Sequence, residues 1–163
     1  MALLYGMLMG IRMASIEVVP ATAAYIVELR RNLRDGDKNE ILRAGWCVRD
    51  ALWRCLNNTL EPKTALIDGA VAGAWGCEGT VLGYKGVPWL LTAKIAEKYP
   101  LQYALLFRAE VRKMLERYDV LENYVDASYD QAIKLLEMVG FSVYDPEPYG
   151  RNGASFRKFR LAV

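Results

Sequence analysis

The sequence predicts a single α/β domain built on a mixed sheet. Three observations carry that class. Short apolar or β-branched runs alternate with segments of helical period in the order β-α-α-β-β-β-α-β-α-β-β. An Asp-Gly pair joins two of those runs as a hairpin. No repeat, linker or low-complexity stretch divides the 163 residues, a length that buries roughly 70% of the unfolded surface without disulfide or metal staples.

In chain order, Ala14–Val19 is β-branched at its centre and stops at Pro20, a strand. Ala24, Ile26, Val27 and Leu33 sample a helical face that Gly36 is expected to break. Asp37 with Glu40 three residues later reads as a capping pair opening a second helix, which continues through Arg49–Leu56 to Pro62. Thr64–Ile67 and Ala70–Gly76 flank Asp68-Gly69, and Val87–Leu91 suits a buried central strand. Leu101, Ala104, Leu105, Val111, Leu115 and Tyr118 form the expected buried stripe of the longest helix. After the strand Asn123–Asp126, Ser128 and Gln131 read as a capping box, and Gly140 ends the helix in a left-handed conformation. Phe141–Tyr144 and Phe156–Leu161 close the sheet. Residues 1–12 form an apolar N-terminal tail, either a docking segment or a structurally idle extension, and 13–163 form the domain.

Composition excludes several functions. Lys+Arg 21 against Asp+Glu 19 leaves no broad positive field for nucleic acid or anionic membrane. The apolar start is too short for a membrane span and lacks the marks of a signal peptide. With no histidine, and with Cys47, Cys55 and Cys77 unpaired in spacing, neither a zinc site nor a histidine-based triad is expected. The odd cysteine count fits a reducing compartment. Gly69, Gly73, Gly76 and Gly79 lie in and after strands, not at the strand-to-helix turn a nucleotide fingerprint needs. Trp53 and Trp89 are expected in the core, and Trp46 is the candidate for an exposed contact residue.

The element order looks like the GNAT acyltransferase fold, and the segment Asn123–Phe141 carries that resemblance through its strand, its Ala132-Ile133 pair and its helix ending in Gly140-Phe141. A narrower resemblance spans Pro88 to Tyr149. There Trp89-Leu90-Leu91-Thr92 and the run Arg112-Lys113-Met114-Leu115-Glu116-Arg117-Tyr118-Asp119-Val120-Leu121-Glu122-Asn123-Tyr124-Val125 are similar to the internal virion protein A family of T7-like podophages. That family implies a bacteriophage product acting in virion assembly or infection, with phage or host proteins as partners, in the host cytoplasm or the virion.

The acyltransferase resemblance implies two chemical demands. Acyl-CoA pyrophosphate is held by a glycine-rich turn after the fourth strand, where backbone amides approach the phosphates. Here the junction Thr92–Pro100 has no glycine, and Pro100 lacks an amide donor. Leu91 and Thr92 at the strand end, with Lys94 and Lys98 as point charges, are the remaining cofactor-binding candidates. The leaving thiolate needs an acid, and Leu136 stands where many members place tyrosine. Tyr129, at the usual Asn position, is the substitute acid; Glu78 and Asp126 at strand ends are the candidate bases. The expectation is a retained fold and a lost reaction, with no cofactor and no metal. The alternative is an active acetyl-CoA-dependent N-acetyltransferase modifying a host or phage amine. The split between central strands in this fold also exposes backbone groups to which an added strand can pair.

Overall fold

The computed structural model describes residues 13–79 and 82–163; the apolar tail lies outside them. Seven strands form one sheet in the order β1-β2-β3-β4-β5-β7-β6, with β1 at Ile16–Pro20, β2 at Lys63–Ile67, β3 at Ala70–Gly79, β4 at Lys85–Thr92, β5 at Val120–Asp126, β6 at Ser142–Pro148 and β7 at Ser155–Ala162. Every pairing is antiparallel except β4 with β5, which is parallel and runs only through Lys85↔Val120 and Gly86↔Leu121. Beyond those two pairs the strands part.

The β2–β3 hairpin forms as expected: Asp68 and Gly69 both adopt positive φ, 49° and 83°, matching the twist of the flanking strands. Ala72 is the extra residue of a bulge on β3 opposite Ala65 and Leu66, so Val71 and Ala74 both face the same layer.

Helices cover both faces. On one side pack α1 (Ala23–Asn32), α2 (Asp35–Arg43) and α3 (Val48–Asn58), whose Ile26, Leu29, Ile41 and Leu52 meet Leu66, Trp89 and Leu91. On the other lie α4 (Pro100–Leu115) and α5 (Asp130–Val139), with Phe107, Val111 and Leu136 against Leu121, Val125 and Phe159. Trp75 and Trp89 are core residues; Trp46 is 45% exposed beneath the guanidinium of Arg54, 5.0 Å from its ring centroid.

The first helical region divides differently from the sequence expectation. The break falls at Leu33, not Gly36: Leu33 forms a bridge with Ala93, and the Arg34 N–H donates to the Thr92 carbonyl at 2.9 Å. Gly36 instead lies inside the first turn of α2, where a β-carbon would stand 2.4 Å from the Tyr129 ring. The single helix expected from Asp37 to Leu56 is two, separated at Gly45, whose φ is +99°. Neither capping box forms. Asp37 and Glu40 turn toward β5, while Ser128 gives its N–H and hydroxyl to Asp126 Oδ1 at 2.9 and 2.7 Å. The stripe of α4 is also rotated. Tyr103 and Phe107 are buried beside Ala104 and Val111, leaving Leu101 and Leu105 exposed, because the larger aromatic pair removes more apolar area from water. At the end of α5, Gly140 (φ +115°) and Phe141 both donate to the Leu136 carbonyl, as predicted for a glycine cap.

Gly73 is required by close approach, not by backbone angle. A β-carbon there would stand 2.0 Å from the Tyr103 hydroxyl and 2.8 Å from the Leu91 carbonyl oxygen. Gly73→Ala is expected to lower stability by about 1–3 kcal/mol, measured as a shift in urea midpoint. Gly69→Ala, with nothing within 4 Å of the added carbon, is expected to lose only the cost of its positive φ, about 1 kcal/mol.

Candidate functional site: the fork between β4 and β5

Where two parallel strands diverge, each presents backbone groups that no neighbouring strand meets. Alternation along β4 directs the N–H and C=O of Leu90 and Thr92 toward β5, together with the carbonyl of Pro88. This explains a proline in a central strand: its missing N–H falls on the edge that has no ladder partner.

The chain meets most of these groups itself. The Asn123 carboxamide spans the point of divergence, donating to the Pro88 carbonyl at 2.9 Å and accepting from the Tyr124 N–H at 2.8 Å. It acts as a peptide group inserted between the strands. Further out, Glu40 Oε2 accepts from the Asp126 N–H at 3.2 Å, and Arg34 N–H takes the Thr92 carbonyl.

A stripe of charges on α2 produces this closure. Arg34, Asp37, Glu40 and Arg43 recur every third residue and all face the β5–α5 junction. Arg34 Nε pairs with Asp37 Oδ2 at 2.9 Å; the Tyr129 hydroxyl donates to the same oxygen at 3.1 Å; Arg43 Nε pairs with Asp126 at 2.5 Å. Asp126 is only 2% exposed. Burial, with Asp37 and Asp126 nearby, pushes the Glu40 carboxyl up to about 8. Burial also raises Asp37 against the opposing pull of Arg34. The Tyr129 phenol is driven well above its usual range, by burial first and the Asp37 charge second.

Two cavities flank this brace, sharing Arg34 and Leu135 in their walls. The fork cavity, about 140 Å³, is lined by Leu90, Leu91, Asn123, Tyr129, Leu136 and Glu40 among others. The second, about 270 Å³, lies between α4 and α5 and reaches Thr92 and Tyr103. The β4–α4 junction is a 3-10 turn at Lys94–Lys98. Within it the Ala96 and Tyr99 amides are bonded to Ala93 and Ala96 carbonyls.

Of the residues singled out from sequence, Tyr129, Leu91 and Leu136 line the fork cavity, and Thr92 lines its neighbour. Asp126 lies at the fork's outer end, locked by Arg43 and Ser128. Glu78 stands apart from both cavities, 3.6 Å from Arg54. Lys94 and Lys98 are exposed on the turn, Lys94 paired with Asp35 at 3.5 Å. Cys55 also lines the fork cavity, but burial pushes its thiol up to about 12, away from nucleophilic use. Among the described residues no group of acids and cysteines is arranged to hold a metal. Arg34, Asp37, Glu40 and Asn123 are site residues that sequence reasoning misses; the three-residue spacing of Arg34, Asp37 and Glu40 is a signal for those three, and Asn123 carries none.

No family model matches the chain, and no curated protein does. Solved structures match over nearly its whole length. An acetyltransferase of the GNAT family from Bacillus anthracis shares 7% identity, with TM-score 0.69 over 92% of this chain and 96% of that one. The ribosomal-protein-alanine N-acetyltransferase of Brucella melitensis shares 16%, at 0.66 over 90% and 99%. An aminoglycoside acetyltransferase in complex with coenzyme A shares 15%, at 0.64 over 91% and 95%. At these identities the likeness establishes the fold: a GNAT acetyltransferase fold on one mixed seven-stranded sheet.

Two outcomes are expected from this geometry. Asn123→Ala strands the Pro88 carbonyl and the Tyr124 N–H, and is expected to cost about 1–3 kcal/mol in chemical unfolding. Glu40 has a folded-state pKa above its unfolded value of 4.5. Its contribution is therefore complete below pH 4.5 and is lost as pH rises through about 8. Glu40→Gln keeps an acceptor for Asp126 N–H, so the variant is expected to match the parent at pH 4.5 and exceed its urea midpoint at pH 9. Equal midpoints at pH 9 would contradict the assignment.

Proposed function

We propose that this chain is a bacteriophage internal virion or assembly protein in which a GNAT-like fold no longer transfers acyl groups and acts through contacts with other phage or host proteins. The observation that carries this reading is the self-sealed fork. Asn123, Glu40 and Arg34 take up edge groups along which an acyl-CoA arm would have to run.

Three further features agree. The β4–α4 junction has no glycine, its 3-10 turn uses amides internally, and Pro100 at the first position of α4 offers none. The residues present therefore do not fit the pyrophosphate of acyl-CoA. Leu136 lines the fork cavity where a proton donor would be required. Tyr129, the substitute, already donates to Asp37, and its raised pKa opposes use as an acid. The setting rests on the podophage-like run from Arg112 to Val125. That run includes Asn123, the residue that pins the fork. Exposed Trp46, Leu101 and Leu105 offer apolar anchors for a partner.

A second reading, an active N-acetyltransferase, draws on one observation: the Glu40 carboxyl, which burial pushes up to about 8, lines the fork cavity together with the Tyr129 phenol. It would use Glu40 to accept a proton from an amine and Tyr129 as acid. Calorimetric titration of acetyl-CoA into the purified protein separates the two. No heat of binding at 0.1–1 mM ligand (about the upper range of enzyme KM values) is expected. Saturable binding, followed by amine acetylation that Glu40→Gln abolishes, would establish the second reading instead.

A further inference from the structure

The backbone just ahead of β1 is tied to α4. Gln102 uses both ends of its carboxamide on Ala14, accepting from the Ala14 N–H at 3.0 Å and donating to the Ala14 carbonyl at 3.1 Å. Ala14 and Ile16 also pack, with Leu106 of α4, against the cluster around Trp75 and Tyr103. Two hydrogen bonds and an apolar contact thus fix a stretch that is commonly loose in other domains unless something holds it. Beside this clamp α4 carries an apolar ridge. Leu101 and Leu105, one helical turn apart, are 56% and 57% exposed, and Ala109 is exposed one turn further on. The exposed side chains of Arg108 and Arg112 bound the ridge.

We infer that the ridge at Leu101 and Leu105 is the seat of residues 1–12 of the same chain. That segment contains Leu3, Leu4, Met7, Leu8, Met9 and Ile11, with Arg12 as its one charged side chain. An apolar run in water and an apolar ridge in water, next to each other, are two unfavourable exposures that one contact removes. Reach is ample. Leu101 and Leu105 stand about 6 Å apart along the helix axis, whereas twelve residues span about 18 Å as a helix and up to about 40 Å extended. Held at Ala14, the segment meets the ridge at an effective concentration on the order of millimolar, an advantage that no separate molecule of similar apolar surface has. Leu101 and Leu105 are then covered from within the chain. Trp46, between α2 and α3 on the opposite face of the sheet, is the anchor left open to a partner.

The test is methyl NMR on the full chain, labelled at methionine and leucine methyls. Cross-relaxation from the Met7 and Met9 methyls to Leu101 and Leu105 is expected, with shifts that do not change on dilution. Leu101→Gln/Leu105→Gln replaces two exposed side chains by good helix formers and leaves the core untouched, so the variant folds. In it Met7 and Met9 are expected at random-coil positions, while Met114, packed against the core, keeps its shift. Chymotryptic cleavage after Tyr5 is expected to rise at least about tenfold, the factor set by returning one leucine side chain to water. Leu4→Gln/Leu8→Gln alters only the segment and is expected to release the same methyls from the other side of the contact. Random-coil Met7 and Met9 methyls in the parent, or equal cleavage of the parent and the α4 variant, would overturn the inference. Contacts found only between differently labelled chains in a mixed sample would also overturn it, by assigning the ridge to a second copy.

Discussion

Two parallel strands that pair at one end and part at the other leave polar backbone facing a gap, and this structure is organised around meeting that demand. β4 and β5 share two residue pairs before diverging. From there the polar edge must be satisfied by side chains, by solvent or by a guest. Asn123 does so at the apex, Glu40 and Arg34 further out. Pro88 reduces the demand by lacking a donor where a donor would face the gap.

The requirement explains why α2 is placed and charged as it is. Its Arg34, Asp37, Glu40 and Arg43 would be an ordinary solvated face on an isolated helix. Against the β5–α5 junction they alternate with Asp126 and Tyr129, so each buried charge has a counter-charge or a hydrogen bond; Glu40 has only the Asp126 N–H, among mostly acidic neighbours. A carboxyl so placed gives up its proton reluctantly. Arg34, at one end of the brace, lines both the fork cavity and the cavity between α4 and α5, as does Leu135.

Local signals and tertiary demands disagree at instructive places. Asp68-Gly69 and Gly140 were legible because a positive φ restricts the choice of residue whatever surrounds it. Gly36 was misleading for the opposite reason. It admits the Tyr129 ring from ninety-three residues away in the chain (Gly36 to Tyr129) and has no bearing on where the helix breaks. The capping pairs Asp37/Glu40 and Ser128/Gln131 had the right spacing, but their side chains are engaged elsewhere: Asp37 accepts from Arg34, Glu40 accepts from the Asp126 N–H, and Ser128 donates to Asp126. On α4 two apolar stripes overlapped, and only contact with the sheet selected the one containing Tyr103 and Phe107.

The sequence by itself determined the α/β class, the seven strands, the hairpin, the glycine cap of α5, and the absence of a glycine cradle after β4. These follow from period, turn chemistry and residue identity, which are local. Only the tertiary structure decided that α2 turns its charges inward, that Asn123 closes the fork, and that the Tyr103 hydroxyl packs against Gly73. Those depend on groups far apart in the chain meeting in a low-dielectric space, where an unpaired donor or charge costs far more than it does in water, and local pattern carries no record of such meetings.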